Sequence, residues 1–341
     1  MRKIVTFGEI MMRLQPTGYK RFFQTDIYES CFGGGEANVA VSLAELGCDA
    51  VFFTRLPDNA LADACIADLK KRNVDTKYIL RGGDRLGLYF CEKGASQRPS
   101  AIIYDRKGSA INGIDLSEAD VDGLFSEAEW FHFSGITAAL SEKVLDALRA
   151  LLKEAKKRKI TVSCDLNYRK KLWNLQKAGE VMSELMEYTD VLISNEEECK
   201  DVFGMEARDT DVNKGRISAE GYAELAKAVM KRFKNLKVAA FTLRSSISAS
   251  INIWAGVLAT SDGCFCSKEY TINVIDRVGA GDSFTAGLIY GLSKGKSPLY
   301  TVEFATAASC LKHTVEGDFN ITSLAEVEAL MSGSGNGRVQ R

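Results

Sequence analysis

The chain has 341 residues, of which 46% are hydrophobic and 26% are charged, a composition typical of a globular protein rather than a disordered or collagen-like chain. Lysine and arginine number 44 against 45 acidic residues, whereas proteins that bind nucleic acids or anionic membranes usually carry a basic surplus. No run of about 18 apolar residues is present, so we expect no transmembrane helix. We therefore expect neither nucleic acid nor a membrane as a partner. At this length, one large core with a smaller addition is expected.

The beginning of the chain and its cysteines favour a cytoplasmic protein. Glu9 and Arg13 fall where a signal peptide would be apolar, so we expect the first residues to form a strand. The nine cysteines are scattered and odd in number. Cys264 and Cys266 form the only close pair, without a second pair or a nearby histidine to complete a zinc site. We expect reduced thiols in the cytoplasm.

Short apolar runs alternate along the chain with amphipathic helical patterns. Apolar residues recur at helical spacing over 144–155, after a potential cap at Ser141, and again over 225–233. The alternation predicts an α/β fold with a doubly wound, mostly parallel sheet and helices on both faces. The runs predict buried strands at 3–7, 49–54, 129–134, 160–165, 191–194 and 238–243.

Two stretches, 9–32 and 86–106, interrupt this alternation and look like short strand pairs with turn residues between them. They could form a small sheet that covers a site as a lid, or they could add strands to the main sheet, and periodicity does not distinguish these alternatives. Residues 205–220 are polar and predict a surface loop. We assign the core to 1–8, 33–85 and 107–331, the lid to 9–32 and 86–106, and a flexible tail to 332–341.

The segment VIDRVGAGDSFTAGLIYGL, residues 274–292, places a loop of small residues before a helical pattern. Such a loop lets several backbone N–H groups converge on an anion, reinforced by the helix dipole. Asp282 lies in the first turn, where its carboxylate would repel a bound phosphate. An aspartate at this position is reasonable if the phosphate is transferred and Asp282 accepts the proton of the attacking hydroxyl. Alternatively, the aspartate caps the helix and the glycines allow close packing.

A second glycine-rich segment, CFGGGEANVAVSLAELG, occupies residues 31–47. Its glycines permit close backbone approach to a ligand, and Asn38 offers a donor and an acceptor to a hydroxyl-rich one. Taken alone, the glycine run could be only a turn. Neither glycine segment contains the GxxxxGK[ST] P-loop, and GGGEAN does not match the GxGxxG dinucleotide fingerprint. A nicotinamide-dependent oxidoreductase is therefore disfavoured.

Together, GGGEAN and DRVGAGD resemble, in order and spacing, the paired signatures of the ribokinase-like (pfkB) carbohydrate kinases over about residues 1–330. The resemblance implies an α/β core with a β-sheet lid, and ATP and Mg²⁺ as cofactors. It implies that Asp282 is the base that activates a sugar hydroxyl. The same resemblance implies an anion hole for the transferred phosphoryl group, formed by Gly279, Ala280 and Gly281.

On the nucleotide side, the resemblance extends to Asn195 and Glu198 in SNEEEC. In the family this N-x-x-E motif helps to place Mg²⁺, through water, and the nucleotide phosphates; without the family it would indicate a solvated acidic helix start. The chain departs from the family at Arg277, where many members have threonine, and in TLRSSISASINIW, which lacks the usual GxxG. The candidate nucleotide-binding residues are Asn167, Asn195, Glu198, Thr242, Arg244, Gly279 and Gly281.

Three further segments, 102–110, 164–173 and 312–320, are similar to those of the 2-keto-3-deoxygluconate kinases within this family. An acidic sugar requires a buried cation with forked donors, which arginine supplies better than lysine. Arg106 and Arg169 are the candidates, although a surface salt bridge is an alternative for either, and Arg169 could instead contact a nucleotide phosphate. The candidate substrate-binding residues are Gly33, Gly34, Asn38, Tyr89, Tyr104, Arg106, Arg169 and Asp318.

The resulting hypothesis is an ATP-dependent kinase that transfers the γ-phosphoryl group to the C6 hydroxyl of 2-keto-3-deoxygluconate. One alternative is another pfkB-type kinase, for 5-keto-2-deoxygluconate, ribose or fructose, which would need no carboxylate-binding arginine. The other is a non-catalytic sugar-binding regulator on the same fold, which would have no use for Asp282. A small lid with exposed edges would also permit a homodimer or a higher oligomer.

Overall fold

The structure is a computed structural model that describes residues 2–207 and 219–333. Nine of the described strands form the main sheet, in which six neighbouring strands are parallel and the last three, at one end, are antiparallel. The strands in chain order are β1 (Lys3–Phe7), β2 (Met11–Pro16), β3 (Tyr28–Gly33), β4 (Ala50–Phe53), β5 (Arg55–Leu56), β6 (Leu80–Arg81), β7 (Gly87–Glu92), β8 (Ala101–Asp105), β9 (Ala128–Ser134), β10 (Thr161–Asp165), β11 (Val191–Ser194), β12 (Val238–Ser246), β13 (Ile251–Thr260), β14 (Gly263–Cys266) and β15 (Tyr270–Asn273). The order in the main sheet is β14-β13-β12-β11-β10-β9-β1-β4, with β15 paired to β13.

Helices cover both faces of this sheet, so its strands are buried on both sides. Alternate residues of a strand point to opposite faces: Ile4 packs into one apolar core, and Val5 and Phe7 pack into the other. The mostly parallel α/β fold expected from the sequence is confirmed. The described helices are α1 (Gly35–Glu45), α2 (Ala60–Lys71), α3 (Val121–Phe125), α4 (Gly135–Ala139), α5 (Glu142–Lys157), α6 (Leu175–Leu185), α7 (Glu196–Phe203), α8 (Ala219–Arg232), α9 (Ala280–Ser293), α10 (Pro298–Lys312) and α11 (Leu324–Met331).

Helix α5 illustrates how local sequence produces these elements. The hydroxyl of Ser141 accepts a hydrogen bond from the N–H of Val144 at 3.3 Å and caps the helix, as predicted. Glu142 in the first turn and Lys156 and Lys157 in the last turn complement the helix dipole. The predicted apolar stripe over 144–155 is buried, and each leucine in it contributes roughly 1.5–3 kcal/mol relative to an exposed position.

Strands β2, β3, β7 and β8 form a separate sheet in the order β3-β2-β7-β8, which we call the small sheet. A separate sheet was one of the two alternatives left by the sequence, and the structure excludes the other, extra strands of the main sheet. Its strands β2 and β3 are antiparallel, β2 and β7 are parallel, and β7 and β8 are antiparallel. Residues Met11, Tyr89 and Cys91 form its buried apolar cluster.

The main sheet offers one obvious place for a ligand. Strand β1 lies between β4 and β9 and is parallel to both, so the strand order reverses at β1. Ligands of open α/β sheets bind in the crevice at the carboxyl ends of the strands beside such a reversal. The small sheet follows directly from β1, and α1 begins at Gly35 on the same side.

Parts of two sequence-based predictions lie outside the described residues: positions 208–218 of the predicted loop at 205–220, and the predicted flexible tail from residue 334 onward. Among the helices that the structure does describe, none is long and apolar enough to cross a membrane.

Candidate active site

A cavity of about 1340 Å³ opens at the carboxyl ends of the parallel strands, next to the small sheet. Every residue that the sequence analysis singled out for catalysis, substrate binding or nucleotide binding lies on its wall. The predicted site residues are spread along the sequence, from Gly33 near the N-terminal end to Asp318 near the C-terminal end. The structure therefore assembles one site from segments that are distant in sequence, while the role of each residue stays a prediction.

The N-terminus of α9 forms one side of the cavity. Gly279 is its N-cap residue and has a φ of +82°, and a Cβ there would lie 2.1 Å from the main-chain oxygen of Asp318. Only glycine fits this position. The first N–H groups of a helix have no partner within it, so those at Gly281 and Asp282 are available to an anion in the cavity.

Asp282 does not cap this helix, because the N-cap residue Gly279 has no side chain and α9 has no side-chain cap hydrogen bond. Its Oδ2 instead accepts a hydrogen bond of 2.7 Å from Nδ2 of Asn38. Burial raises the pKa of Asp282 to about 7, the hydrogen bond from Asn38 lowers it, and the nearby Glu36 raises it. A carboxyl group with this pKa exchanges a proton near neutral pH.

The glycine-rich segment at residues 31–47 is more than a turn. Gly34 is the N-cap residue of α1, and a Cβ at Gly34 would lie 1.9 Å from the main-chain oxygen of Glu9. The N–H of Gly34 donates to Oδ1 of Asn38 at 3.2 Å. Since the other end of the Asn38 amide holds Asp282, this side chain joins the two glycine-rich segments and fixes the orientation of the carboxylate.

Glu36, also in this segment, is a buried carboxylate that the sequence analysis did not assign. It accepts hydrogen bonds from the N–H and the hydroxyl of Ser134, at 2.9 and 2.6 Å, and from the hydroxyl of Thr137 at 2.7 Å. Burial raises the pKa of Glu36. These contacts connect α1 to the end of β9 and to α4. Glu36 is therefore a structural residue, and its charge acts on the nearby Asp282.

A buried group of charges connects the small sheet to the core, and we call it the Arg13 cluster: Arg13, Tyr89, Asp276 and Asp318. The Arg13 guanidinium contacts Asp276 at 2.7 Å and Asp318 at 3.0 Å. The Tyr89 hydroxyl lies 2.5 and 2.6 Å from the two carboxylate oxygens of Asp318. Tyr89 and Asp318, predicted to contact the substrate, are thus engaged with each other, and Arg13 is a residue that the sequence analysis missed.

Arg106 is held at the cavity wall by another buried carboxylate. Its Nε donates to Oε2 of Glu9 at 2.7 Å, its Nη2 donates to the same oxygen, and the Ser109 hydroxyl donates to Oε1. The guanidinium carbon lies 5.4 Å from the ring centroid of Tyr104, and that ring lies 5.8 Å from the ring of Tyr89. With its side chain only 11% exposed, Arg106 does not form the surface salt bridge considered as an alternative.

Arg169 is placed differently, since its side chain is 44% exposed. Its Nη1 donates to the main-chain oxygen of Tyr168 at 3.1 Å and lies 3.9 Å from Oε1 of Glu198. The same positive charge lowers the pKa of Asp282. Arg169 therefore lies between the acidic residues on one side and the open cavity on the other, and both of its predicted contacts remain geometrically accessible.

Acidic and amide side chains gather at the ends of β10 and β11. Asn195 accepts a hydrogen bond from the N–H of Glu198 at 2.9 Å and caps α7. Asn167, with a φ of +37°, donates to Oδ2 of Asp165 at 3.4 Å. Burial raises the pKa of Asp165 and of Glu198. Asp165 was not predicted, although its position at the carboxyl end of a predicted strand could have indicated it.

This oxygen-rich corner fits the Mg²⁺ that the family resemblance implies. Two carboxylates with raised pKa values are disfavoured in their charged forms, and a divalent cation would stabilise them. Within the described residues, no three His, Cys, Asp or Glu side chains form a complete metal site. Mg²⁺ usually takes only one or two protein carboxylates and completes its shell with water and substrate phosphates, so the incomplete set is the expected one.

The predicted nucleotide side of the cavity lies on β12, which carries Thr242 and Arg244. The stretch without the usual GxxG forms an antiparallel hairpin with β13, in which Arg244 is paired with Trp254. Arg277, the other departure from the family, donates to the main-chain oxygen of Ala249 in this hairpin at 2.8 Å. Burial and repulsion from Arg244 lower the pKa of Arg277. Two arginines thus give this wall a positive charge.

A helix N-terminus and a buried carboxyl group with a pKa of about 7 lie together where an open α/β sheet binds ligands, an arrangement expected of a small-molecule kinase. A family model described as pfkB family carbohydrate kinase matches residues 1–323. This chain belongs to the pfkB family of carbohydrate kinases.

Individual relatives agree with this assignment. The chain is 30% identical to a 2-dehydro-3-deoxygalactonokinase of Haloferax volcanii, over 98% of each chain. It is 27% identical to the 2-dehydro-3-deoxygluconokinase of Bacillus subtilis, over 93% of this chain and 91% of that one. The crystal structure of 2-dehydro-3-deoxygluconokinase from Thermotoga maritima superimposes with a TM-score of 0.93 at 47% identity, covering 98% and 100% of the two chains. A structure from Escherichia coli in complex with ATP and Mg²⁺ shares the fold, with a TM-score of 0.80 at 18% identity, covering 98% and 100%.

Proposed function

We propose that this protein is an ATP-dependent kinase for 2-keto-3-deoxy sugar acids, with 2-keto-3-deoxygluconate (2-dehydro-3-deoxygluconate) as substrate and its C6 hydroxyl as acceptor. The observation that carries the proposal is Asp282, a carboxyl group with a pKa of about 7 beside the N-terminus of α9. The relatives from Thermotoga maritima and Bacillus subtilis, both named 2-dehydro-3-deoxygluconokinases, support the choice of substrate. Arg106 and Arg169 on the cavity wall suit an acidic sugar.

The proposed reaction is a direct in-line transfer between ATP and the sugar acid. The Asp282 carboxylate takes the proton of the C6 hydroxyl as the oxygen of that hydroxyl bonds to the γ-phosphorus, and the bond from phosphorus to the leaving ADP oxygen breaks. Backbone N–H groups of the Gly279–Asp282 loop, among them those of Gly281 and Asp282, receive the charge of the transferred phosphoryl group. The products are ADP and the 6-phosphorylated sugar acid, with the proton on Asp282.

The chain's own residues account for the placement of both substrates. ATP lies along the carboxyl ends of the main strands, beside Thr242, Arg244 and Arg277. Asn195 and Glu198, with Asp165, would hold Mg²⁺ partly through water, and the bound ion would neutralise charge on the nucleotide phosphates. The sugar acid lies between the glycine-rich segment at Gly33 and Gly34, the arginines and Tyr104. The small sheet serves as a lid that excludes water from the reaction.

Two broader expectations complete the proposal. The reaction takes place in the cytoplasm, where ATP is available and where the nine free thiols stay reduced. Of the outer strands of the small sheet, β8 is largely exposed and β3 is partly exposed, and their edges would allow two copies to associate.

The experiment that tests the proposed function is a coupled ADP-release assay with ATP and Mg²⁺. The panel is 2-keto-3-deoxygluconate, its galactonate epimer, ribose, fructose and gluconate. Turnover confined to the keto-deoxy acids supports the proposal. Turnover on the neutral sugars instead identifies another sugar kinase of the same family, and ATP binding without turnover on any of the five favours a regulator.

The rate should depend on pH through Asp282. Only its carboxylate form accepts a proton, so kcat/KM is expected to rise as the pH increases towards about 7 and to level off above it. Asn38→Ala removes a hydrogen bond that lowers this pKa, and it should move the midpoint up by about half a pH unit or more. Steady-state rates across the pH range measure both effects. Asn112→Ala is the control, because Asn112 bonds to Ser109 rather than to Asp282; a flat wild-type profile between about pH 5 and 9 would contradict the assignment.

Arg106→Met and Arg169→Met are each expected to raise the KM for the sugar acid about 10- to 100-fold, because each removes charge-assisted hydrogen bonds to the carboxylate. The KM for ATP should change less than about threefold for Arg106→Met. Initial rates at varied concentrations of each substrate separate the two constants. Arg85→Met, at a partly exposed arginine paired with Asp105, should leave both constants unchanged. A sugar KM that neither site variant alters would indicate a neutral substrate.

A further inference from the structure

Lys312, near the end of α10, is a buried cation that the proposed reaction leaves without a role. It is 0% exposed, and its Nζ donates to the main-chain oxygen of Val315 at 3.0 Å. Burying an ammonium group is expensive unless neighbouring anions compensate for the lost hydration. The anions near Lys312 therefore determine whether its positive charge is stabilised.

Those anions belong to the Arg13 cluster. Burial lowers the pKa of Lys312 below its usual value, and Asp276 and then Asp318 offset part of that effect. With Lys312 protonated, the formal charges of Arg13 and Lys312 match those of Asp276 and Asp318. Without Lys312, the balance would leave one negative charge in a buried position.

The same ammonium group lies beside the proposed anion hole. Its Cε is 3.3 Å from the position that a Cβ on Gly279 would occupy, and Gly279 is the N-cap residue of α9. The electrostatic attraction between Lys312 and Asp282 also raises the pKa of the lysine. The protonated form of Lys312 therefore adds its positive charge to the partial positive charge of the helix end, in surroundings from which water is largely excluded.

We propose that Lys312 is a positioning residue for phosphoryl transfer: its buried ammonium group supplies a fixed positive charge behind the anion hole and offsets the carboxylates that would repel the transferred phosphoryl group. The inference rests on the proposed function, since it concerns the charge that develops during that transfer. Lys312 makes no bond to either substrate, and it neither gives nor takes a proton.

The first test is Lys312→Met, which keeps most of the side-chain length and removes the charge. We expect kcat to fall about 10- to 100-fold while the KM for the sugar acid changes less than about threefold, because the charge acts on the transition state. In Lys312→Ala, ammonium chloride should restore part of kcat, whereas tetramethylammonium chloride at equal ionic strength should not. Lys93→Met is the matched control, because Lys93 is buried but paired with Glu316. Unchanged kcat in Lys312→Met, or equal rescue by both salts, would overturn the proposal.

A second measurement keeps this inference separate from the proposed function, because it needs no sugar. The Asp282 carboxyl can be titrated by ¹³C NMR with labelled aspartate and identified by its absence in Asp282→Asn. Removing a nearby positive charge should raise its pKa in Lys312→Met by about half a pH unit or more, and an unchanged pKa would overturn the proposal even if no sugar is turned over. If the wild-type protein turned over none of the sugars, that result would count against the proposed function alone. The other charged groups that face Asp282 are Glu36, Asp165, Arg169 and Asp318.

Discussion

Replacing Asp282 by asparagine is expected to lower kcat about 10²- to 10⁴-fold, the contribution of a well-placed general base. The substitution changes few atoms, and the asparagine oxygen can still accept the hydrogen bond from Asn38 that now holds the carboxylate. ATP binding should stay within about threefold of the wild-type value, because the variant removes a negative charge rather than a phosphate contact. Steady-state kinetics gives kcat, and titration calorimetry with ATP gives the affinity.

Asp122→Asn is the matched control for this substitution. Asp122 is an exposed carboxylate in α3 that pairs with Arg158 and is not part of the cavity wall, so its loss should leave kcat within about twofold. If Asp282→Asn kept the wild-type turnover, another group would have to take the proton, and the assignment of Asp282 as the base would be wrong.

Arg13→Met is expected to lower the free energy of unfolding by about 3–5 kcal/mol, because removing one partner of a buried ion pair leaves an uncompensated charge. Arg13 is fully buried and contacts two carboxylates that are also buried. Methionine fills part of the space but cannot pair with either carboxylate. Urea denaturation, with both the midpoint and the slope recorded, measures the change.

Arg149→Met provides the comparison for a surface arginine. Arg149 contacts Asp146 and Glu184 at the surface, with partners that are largely exposed. Its removal should cost less than about 1 kcal/mol, since water solvates the carboxylates that remain. A loss of similar size in the two variants would mean that the Arg13 cluster is solvated in solution.

The features that the sequence predicted well are those that depend on residues close together in the chain. The six apolar runs became strands of the main sheet because strands buried on both faces are continuously apolar. The loop at Gly279 and the segment at Gly33 to Asn38 were evident because close backbone approach requires glycine locally. Asp282 was singled out by its place in the first turn of the helix after such a loop, and its role as the base stays a prediction.

The features that the sequence did not predict depend on partners far along the chain. Arg13 pairs with residues 263 and 305 positions away, and Glu9 pairs with Arg106 across 97 positions. No local periodicity reports such contacts, because the tertiary fold creates them. For the same reason the sequence did not predict that Tyr89 and Asp318, both on the cavity wall, are hydrogen-bonded to each other.

The Arg13 cluster has a consequence for the biosynthesis of the protein. A ribosome releases the chain from its N-terminus, so Arg13 and Gly33 emerge long before Asp276 and Asp318 have been made. Until then, the Arg13 guanidinium has no carboxylate partners that would compensate for its burial, and it must stay hydrated. The segment that completes the charge balance also lies against the glycine at the head of α9. We therefore expect no turnover from a growing polypeptide that stops short of Asp318, because it lacks both the second carboxylate partner of Arg13 and the backbone that packs against Gly279.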